Sequence, residues 1–497
     1  MTDVPDVLIV GAGPTGLTLE IDLLRRGVRC RIIEKSPQFA VGSRARGISP
    51  RTQEIFASLG VLEPLRAFAE PYLPTRFYDR HNRVTGEKPV SEMAAPAPGV
   101  PFPNPMMVSQ EKTDAVLRQR LGELGGTVEL DCALTGFSQD EGGVTAQVVS
   151  SGREAKITAR YLVGCDGGGS VVRKTAGIAF AGETWEDAAM YLIANVSVKG
   201  VDPGYWHVWT DAEWGYVTLQ PITSTGNWLF VATVAAVDGA PTAESLQRIF
   251  AMRTGCEGVR FSGLRWHSLY RRNLRIVEQY RAGRVFLAGD AAHAGVEHGM
   301  NIGIQEACNL GWKLAQVLGG AVDSLLDTYQ QERLPIARGI LAATVDRDRG
   351  HGGVEAAGRS IREAIAGGHA ANDPTQLSHG YRGSSLSRDF DVVTGVRAGD
   401  RAPYAPGVAE ILRGGGFALL NFGDRQVESG PVAVHRITDR SAFRIYGVDG
   451  EALVLVRPDG YIAATAAAEQ AEMLLEHLRL TMWSGAENVP APDSEKP

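Results

Sequence analysis

Apolar residues near the start of the chain change their spacing in the order expected of a strand, a helix and a second strand. Val7–Val10 is a continuous apolar run, and Leu17, Ile21 and Leu24 then recur at helical spacing. Arg31–Glu34 has the composition of a second short strand. Two short strands that flank a helix predict a βαβ unit with a parallel pair of strands.

The same patterns divide the rest of the chain. Helix and strand patterns return between about residues 101 and 178, whereas residues 182–266 contain aromatic-rich runs such as Trp228–Val234 that predict an antiparallel sheet. A strand at Arg284–Ala288, followed by a long helix, indicates that the first domain resumes after this sheet. Strand-like runs at Phe417–Phe422 and Ala452–Val456 predict a separate small domain before a last helix.

Composition narrows the class of protein. A chain of 497 residues exceeds what one hydrophobic core usually organises, so two or three domains are expected. Hydrophobic residues at 44% and charged residues at 22% are typical of globular proteins and argue against a disordered, fibrous or membrane-embedded chain. The net charge of -7, without runs of Lys or Arg, argues against nucleic acid as a partner.

The cysteines and the N-terminal residues indicate in which cellular compartment the protein works. The five cysteines are scattered without a C-x-x-C pair, so neither a disulfide framework nor a metal site is predicted, and a reducing compartment is favoured. The N-terminus has no basic segment and no apolar segment of the kind that export requires. No stretch reaches the about 18 consecutive apolar residues of a membrane span. We therefore expect a cytoplasmic protein without a membrane partner.

A glycine-rich motif follows the first strand and opens the first helix. The residues fit G-x-G-x-x-G in a βαβ context, and an acidic residue, Glu34, ends the next strand. The first glycine permits a tight turn, the second lets the backbone approach a pyrophosphate, and the third allows close helix packing. The helix N-terminus supplies N–H groups and positive dipole to the phosphates, and Glu34 is expected to bind ribose hydroxyls. The predicted dinucleotide-binding residues are Gly11, Gly13, Pro14, Thr15, Gly16 and Glu34.

A second motif suggests where the other end of the ligand lies. Gly289 and Asp290 follow an apolar strand, and Gly299, Met300 and Asn301 open another helix. A carboxylate such as Asp290 accepts hydrogen bonds from ribityl or ribose hydroxyls, and N–H groups at Met300 and Asn301 stabilise negative charge on a reduced flavin. A long ligand, with a pyrophosphate at one end and an electron-rich ring at the other, fits both motifs.

Four segments together resemble the class A flavoprotein monooxygenases of the para-hydroxybenzoate hydroxylase fold. They are Gly11–Gly16, Ser43–Thr52, Asp166–Arg173 and Gly289–His293, in the order of that family. The resemblance implies non-covalent FAD held by the first and last segments, contacts to FAD from Arg44, Arg46 and Gln110, and Asp166 near the place where FAD meets a transient nicotinamide cofactor. By the same resemblance NADPH or NADH reduces FAD, oxygen adds to form a flavin hydroperoxide, and the distal oxygen goes to an electron-rich ring.

The wider pattern is similar to the subgroup that contains phenol 2-monooxygenase, rifampicin monooxygenase and hydroxylases of bacterial aromatic polyketides. It rests on Leu326–Arg333 and on Arg457–Gly460 in the last domain. This resemblance implies an α/β and α+β architecture: a Rossmann-like FAD-binding domain of the glutathione-reductase type, an antiparallel-sheet substrate domain and a thioredoxin-like C-terminal domain without redox cysteines. The expected ranges are 1–75, 98–180 and 275–350 for FAD, 76–97 and 181–274 for substrate, 351–394 for a helical segment and linker, 395–485 for the thioredoxin-like domain and 486–497 for a disordered tail.

The substrate side leaves alternatives open. Trp206, Trp209, Trp214 and Trp228 are candidates to stack on an aromatic substrate, or they form the core of the antiparallel sheet. The sequence expectation is an aromatic small-molecule substrate and a monomer or homodimer. Baeyer–Villiger oxygenation, epoxidation or dehydrogenation on the same scaffold are rival activities, and a redox-silent FAD protein that holds a polyketide is a rival of another class.

The loop after His293 departs from the family pattern. In relatives this loop carries a proline and passes along the flavin ring, whereas here residues 294–298 are shorter by about three residues and have no proline. Glu297 and His298 are either new acid–base groups or solvated members of a shortened loop. His293 is a third candidate acid–base group, although a histidine beside such a turn is more often structural. We therefore expect a flavin that is more open on this side.

Overall fold

The chain folds around a six-stranded, a seven-stranded and a five-stranded sheet, which follow the order of the three expected domains. The computed structural model describes residues 4–42, 45–90, 92–184, 190–211, 213–235, 239–271, 273–295, 298–349, 373–391, 394–427 and 432–482. Arg44, Glu297, most of the expected linker and the expected tail lie outside the described residues.

The N-terminal segment forms the predicted βαβ unit. Its elements are β1 (Val7–Val10), α1 (Pro14–Leu24), β2 (Cys30–Ile33), β3 (Gly47–Ile48), α2 (Pro50–Leu59) and α3 (Leu62–Arg66). β1 and β2 pair in parallel, and every residue of β1 is buried, as expected of a strand covered on both faces of its sheet. α2 begins at the N-cap Ser49, whose side chain accepts a hydrogen bond from the N–H of Thr52.

The next segment contributes two strands to the seven-stranded sheet and then returns to the six-stranded sheet. Its elements are β4 (Thr75–Tyr78), β5 (Val84–Lys88), β6 (Met106–Met107), α4 (Gln110–Glu123), β7 (Val128–Glu129), β8 (Cys132–Gln139), β9 (Val144–Ser150), β10 (Arg153–Ala159), β11 (Tyr161–Gly164) and α5 (Val171–Thr175). β4 and β5 join the seven-stranded sheet, whereas β7 and β11 belong to the six-stranded sheet. β11 pairs in parallel with β1, which places the end of β11 next to the glycine motif.

The seven-stranded sheet has the order β17-β13-β16-β15-β14-β4-β5. This segment contains β12 (Phe180–Thr184), β13 (Met190–Lys199), β14 (Trp206–Asp211), β15 (Gly215–Ile222), β16 (Asn227–Val234), α6 (Ala243–Thr254), β17 (Arg260–Arg271) and β18 (Asn273–Val277). Alternate strand residues such as Leu192, Val217 and Phe230 pack with Leu246 and Phe250 of α6 into a separate core. One face of the sheet is therefore covered by α6, and we call the opposite face the inner face.

β12 and β18 pair antiparallel and connect the seven-stranded sheet to the rest of the chain. The six-stranded sheet then resumes with β19 (Arg281–Ala282) and β20 (Val285–Leu287), followed by β21 (His293–Ala294), α7 (Gly299–Leu318) and α8 (Asp327–Arg349). β20 pairs in parallel with β11, so the sheet order is β19-β20-β11-β1-β2-β7. Among the described helices, none is long and apolar enough to cross a membrane.

The C-terminal domain has a mixed sheet of order β22-β26-β25-β23-β24. Its elements are β22 (Arg388–Asp389), α9 (Val408–Arg413), β23 (Ala418–Phe422), β24 (Ala433–Arg436), α10 (Arg440–Tyr446), β25 (Ala452–Val456), β26 (Ile462–Ala467) and α11 (Ala471–Met482). β22 pairs in parallel with β26, so the paired strands of this sheet reach back to Arg388. A two-residue strand is too short to show a recognisable alternation in the sequence.

The five cysteines are all free thiols, and each is buried or half-buried. Burial is the main cause that raises the pKa of every one of them, namely Cys30, Cys132, Cys165, Cys256 and Cys308. At neutral pH they are therefore protonated thiols.

Candidate functional site

The glycine motif forms the turn from β1 into α1. Gly11 has a φ of 103°, and a Cβ there would lie 2.4 Å from the carbonyl oxygen of Cys165. A Cβ at Gly16 would lie 2.0 Å from the carbonyl oxygen of Gly11, whereas a Cβ at Gly13 would meet nothing within 4 Å. Two of the glycines are therefore needed by the fold, and Gly13 faces open space.

The first turn of α1 is prepared for an anion. Pro14 is at the start of the helix, the N-cap Gly13 offers no side-chain cap, and the first turn has no acidic residue. The uncapped N–H groups and the positive end of the helix dipole therefore face the open space beside Gly13. This observation fits a pyrophosphate.

Glu34 lies beside this turn. Its carboxylate accepts hydrogen bonds from the N–H of Ala12 at 3.1 Å and from the N–H of Ser36 at 3.0 Å. Glu34 therefore holds the glycine turn in place, and a carboxylate retains further lone pairs for ribose hydroxyls. Its contact with a ribose stays a prediction.

The second motif meets the first one directly. Gly289 has a φ of 61°, and a Cβ there would lie 2.7 Å from Oγ1 of Thr15. A Cβ at Gly303 of α7 would lie 2.3 Å from the same oxygen. Asp290 is exposed next to this contact. The fold thus brings the two predicted ends of the dinucleotide site into contact, with Asp290 accessible to a ligand.

His293 is not accessible to a substrate. Its side chain is fully buried, and Nε2 lies 2.9 Å and 3.0 Å from the two carboxylate oxygens of Glu306. Glu306 also accepts hydrogen bonds from the N–H of Gly289 at 2.8 Å and from the hydroxyl of Tyr280 at 3.2 Å. The candidate acid–base role of His293 is therefore corrected to a structural role, because it is paired and buried beneath the turn.

The two partners shift each other's pKa. Burial alone would lower the pKa of His293, but the charge and hydrogen bond of Glu306 raise it. Burial alone would raise the pKa of Glu306, but His293 lowers it. Glu306 was not among the residues predicted from the sequence. The feature that could have identified it is an acidic residue within a helix whose other residues are almost all buried.

Arg46 connects the flavin side to the seven-stranded sheet. Its buried guanidinium pairs with Glu70 and donates hydrogen bonds to Oε1 of Gln220 at 3.3 Å and to the carbonyl of Pro221 at 3.0 Å. The guanidinium also lies 6.0 Å from the centre of the Trp206 ring. Its described contacts are thus with protein groups, and a contact with FAD stays a prediction.

Two other predicted residues lie at helix starts near this site. Gln110 begins α4, and its N–H donates to the carbonyl of Ala45 at 3.0 Å. Asp166 accepts hydrogen bonds from the hydroxyl of Ser170 at 2.5 Å and from the N–H of Val171 at 2.7 Å. Ser170 is the N-cap of α5, and Asp166 accepts from its hydroxyl and from the first N–H of the helix, so Asp166 fixes the loop after β11 where the nicotinamide cofactor is expected.

The start of α7 is also uncapped. His298 is the N-cap in a left-handed conformation with φ 59°, and it provides no side-chain cap. Gly299 and Met300 follow in the first turn, one turn before Gly303, which contacts Thr15. Asn301 is buried, accepts from the N–H of Ser49 at 2.9 Å and donates to the carbonyl of Gly47 at 2.9 Å. Any acid–base role of His298 stays a prediction.

The predicted tryptophans divide between the two faces of the sheet. Trp209, Trp214 and Trp228 belong to the core under α6, where Trp209 stacks on Tyr78 with ring centres 4.6 Å apart. For these three the candidate substrate role is corrected to packing, because α6 covers their side of the sheet. Trp206 is on the inner face, beside Arg46.

The inner face carries an apolar row that the sequence did not identify. Adjacent strands place Ile193, Val231, Thr218 and Val208 side by side; Thr218 and Val208 are buried, whereas Ile193 and Val231 are half-buried. At one end of this row the half-exposed rings of Tyr191 and Tyr216 are 5.9 Å apart. Alternation along each strand turns all of these residues away from α6.

Comparisons with known proteins agree with this geometry. A family model for an FAD binding domain matches residues 5–344. The chain belongs to the FAD-dependent monooxygenases. It is 40% identical over 489 residues to a flavin-dependent monooxygenase of Mycobacteroides abscessus, covering 95% of this chain and 99% of the relative. It is 32% identical over 508 residues to a rifampicin monooxygenase of Streptomyces venezuelae, covering 97% and 99%.

A solved structure extends the likeness to the whole fold of this monooxygenase. Aklavinone-11 hydroxylase, in a ternary complex with FAD and aklavinone, is 27% identical with a TM-score of 0.77, and the match covers 97% of this chain and 100% of that chain. The predicted FAD-dependent monooxygenase family and the predicted fold class are thus confirmed.

Proposed function

We propose that this monooxygenase hydroxylates a planar, electron-rich aromatic molecule of the polycyclic polyketide type, with NADPH or NADH as reductant and oxygen as co-substrate. FAD, when bound, supplies the redox chemistry. The chain itself binds FAD, orients the substrate and excludes water from the reacting atoms. All five cysteines are free thiols, which supports the further proposal that it works in a reducing compartment such as the cytoplasm.

The inner face of the sheet is the observation that carries this proposal. Ile193 and Val231 are half-buried apolar side chains on this face, and the half-buried rings of Tyr191 and Tyr216 lie at one end of the same row. Flat apolar surface with a few hydroxyls is what a fused aromatic ring system with phenolic oxygens requires. Relatives named for rifampicin and aklavinone support the same class of substrate.

The chain assigns separate tasks to the two sides of the site. We infer that the open first turn of α1 binds the pyrophosphate, with Glu34 and Asp290 on ribose and ribityl hydroxyls and Gln110 nearby. The uncapped first turn of α7, at Gly299 and Met300, faces negative charge with its N–H groups. Arg46, through Gln220 and Pro221, fixes the sheet against this domain, so that the substrate and the cofactor keep a defined separation.

The test is product analysis with the purified, FAD-loaded protein. We would incubate it with NADPH or NADH, ¹⁸O₂ and a panel of polycyclic phenols, and record reductant use, oxygen use and product mass. The expected result is substrate-dependent consumption and a product that carries one ¹⁸O as a ring hydroxyl, located by NMR. Consumption that no aromatic compound stimulates, or oxygen inserted into a ring bond, would contradict hydroxylation.

A pair of arginine variants tests the inner face itself. Ile193→Arg places a charge in the apolar row, and Met252→Arg places the same side chain on the exposed surface of α6, where Met252 is 76% exposed. We expect Ile193→Arg to raise KM or to abolish turnover while FAD content stays normal, because the charge would be desolvated by a bound ring. Met252→Arg should turn over normally. Equal kinetics in the two variants would refute the assigned face.

A further inference from the structure

One face of α7 carries a buried row of polar side chains along most of its length. Asn301, Gln305, Asn309 and Lys313 follow each other at four-residue intervals, which places them on the same side of the helix. Their exposed fractions are 2%, 3%, 1% and 0%. We call these four residues the polar stripe. Buried polar groups are costly unless they are paired, so the partners of the stripe are informative.

The first half of the stripe contacts the backbone just before α2 and, through Gln376, the side chain of Ser49. Asn301 bonds to the backbone of Gly47 and Ser49, both at 2.9 Å. Gln305 donates to Oε1 of Gln376 at 2.6 Å, and the same oxygen accepts from the hydroxyl of Ser49 at 2.8 Å. The first turns of α7 are therefore fixed against the start of α2, which the polar stripe reaches from two positions.

The second half of the stripe contacts Glu332 of α8, and the C-terminal domain contacts the same carboxylate through Arg457. Asn309 donates to Glu332 at 2.7 Å and to Asp459 at 3.2 Å, and Lys313 donates to Glu332 at 2.7 Å. Arg457 makes a two-pronged contact with Glu332 at 2.6 Å and 2.9 Å and also pairs with Asp459 at 2.6 Å. Two acidic and two basic side chains balance here, all of them nearly inaccessible.

We propose that Arg457 and Asp459 are positioning residues for the flavin. They act through the polar stripe, which fixes the helix whose uncapped first turn faces the cofactor. Asn309 is the stripe residue that donates directly to Asp459 of the C-terminal domain, and it is eight residues from Asn301, or about 12 Å along the helix axis. Rigid secondary-structure elements are among the routes that carry coupling between distant sites, and α7 is such an element. The inference goes beyond the proposed function, because it concerns how FAD is held whatever the substrate is.

The variants separate position from charge. Arg457→Met removes the two-pronged contact with Glu332 and leaves the four buried charged side chains with one negative charge in excess. The double variant Arg457→Met with Asp459→Asn restores charge balance but still lacks the two-pronged contact. Arg401→Met is the matched control: Arg401 also joins the C-terminal domain to the FAD-binding domain, but it pairs with Glu54 of α2 at 2.9 Å. Among the described contacts it reaches the backbone of Asp459 only through Glu54 and Arg51, and it does not contact the stripe.

The measurements are the dissociation constant of FAD and the midpoint potential of the bound flavin, both without substrate. We expect Arg457→Met to weaken FAD binding about tenfold and to shift the potential. The double variant should recover thermal stability, but its FAD affinity and flavin midpoint potential should stay changed. Arg401→Met should lower thermal stability without changing either flavin property. Asp459→Asn, which retains the volume of the side chain, should show a smaller shift in the same direction.

Three results would overturn the proposal. Wild-type FAD affinity and potential in Arg457→Met would show that the C-terminal domain does not position the flavin. Equal flavin changes in Arg401→Met would show a general effect of undocking, and full recovery in the double variant would show an effect of charge. If Arg457→Met does not fold, Asp459→Asn decides, and wild-type values in that variant would reject the proposal. None of these readouts depends on turnover of an aromatic compound.

Discussion

Replacing Glu306 by Gln should disrupt the turn that carries Gly289 and Asp290. Glu306 accepts hydrogen bonds from Gly289, Tyr280 and His293 in a fully buried position. A glutamine has one carbonyl oxygen and an NH2 group, so it cannot accept all three bonds. Removing one partner of a buried ion pair costs about 3–5 kcal/mol when the other charge remains. Because His293 can lose its proton, we expect about 2–4 kcal/mol.

The effect should depend on pH with a defined sign. Glu306 has a lowered pKa, so its contribution to stability is present above its ordinary value of 4.5 and is lost as the pH falls through the lowered pKa. His293 has a raised pKa, so its contribution is fully present below its ordinary value of 6.5 and is lost as the pH rises through the raised pKa. The difference between wild type and Glu306→Gln should therefore be largest between those two values.

Thermal unfolding at a fixed scan rate, followed by protein and flavin fluorescence, measures this difference. At about 2–4 °C per kcal/mol we expect a midpoint lowered by roughly 4–16 °C. Glu20→Gln is the control, because burial raises the pKa of Glu20 to about 8 and this buried acid is mostly protonated at neutral pH. Glu20→Gln should gain stability relative to wild type as the pH rises from about 5 to 8. A Glu306→Gln midpoint equal to that of wild type near pH 6 would refute the reasoning.

Further variants test individual residues. Gly13→Val should leave the apoprotein stable but weaken FAD binding, because a side chain there enters only open space; Gly16→Ala should destabilise the apoprotein, and fluorescence titration with FAD together with melting curves separates the two. Trp209→Ala should cost about 3–5 kcal/mol in denaturant unfolding because it empties a core position. Trp206→Ala should change substrate KM with a smaller loss of stability, and an equal loss would contradict its place on the inner face. His298→Ala should alter the rate of flavin reduction and the hydrogen peroxide released per NADPH; unchanged values of both would show that the shortened loop is a simple connection.

Local patterns made the βαβ unit and its glycine turn predictable from the sequence. The glycine requirement at Gly16 comes from a contact with Gly11, five residues earlier, and such a local contact leaves a fixed spacing. At Gly11 the close contact is with Cys165, 154 residues later, so the motif predicts this glycine but not its partner. Glu306 was not predictable in the same way. Its partners Gly289, His293 and Tyr280 lie 13 to 26 residues away along the chain, and the distance between them is set by tertiary packing.

The sequence predicted only part of the placement of the tryptophans. Trp206 and Trp209 are three positions apart in one strand, so they must point to opposite faces. Which face meets the cofactor was not readable, because that depends on where α6 packs and on the contacts of Arg46. The tyrosines of the inner face were missed for the same reason, since their proximity arises from the pairing of β13 and β15 through β16.

The state of the thiols has a consequence for the working life of this catalyst. A flavoenzyme that activates oxygen exposes itself to any hydrogen peroxide it releases, and the thiolate is the form of cysteine that peroxide attacks. Burial raises the pKa of all five thiols, so they stay protonated at neutral pH. Hydrogen peroxide released by the enzyme should therefore oxidise them slowly. The damage should instead fall on exposed methionines such as Met93, Met252 and Met473, which lie outside the described cofactor and interface contacts. Prolonged turnover should thus convert exposed methionines to methionine sulfoxide while the hydrophobic core stays packed.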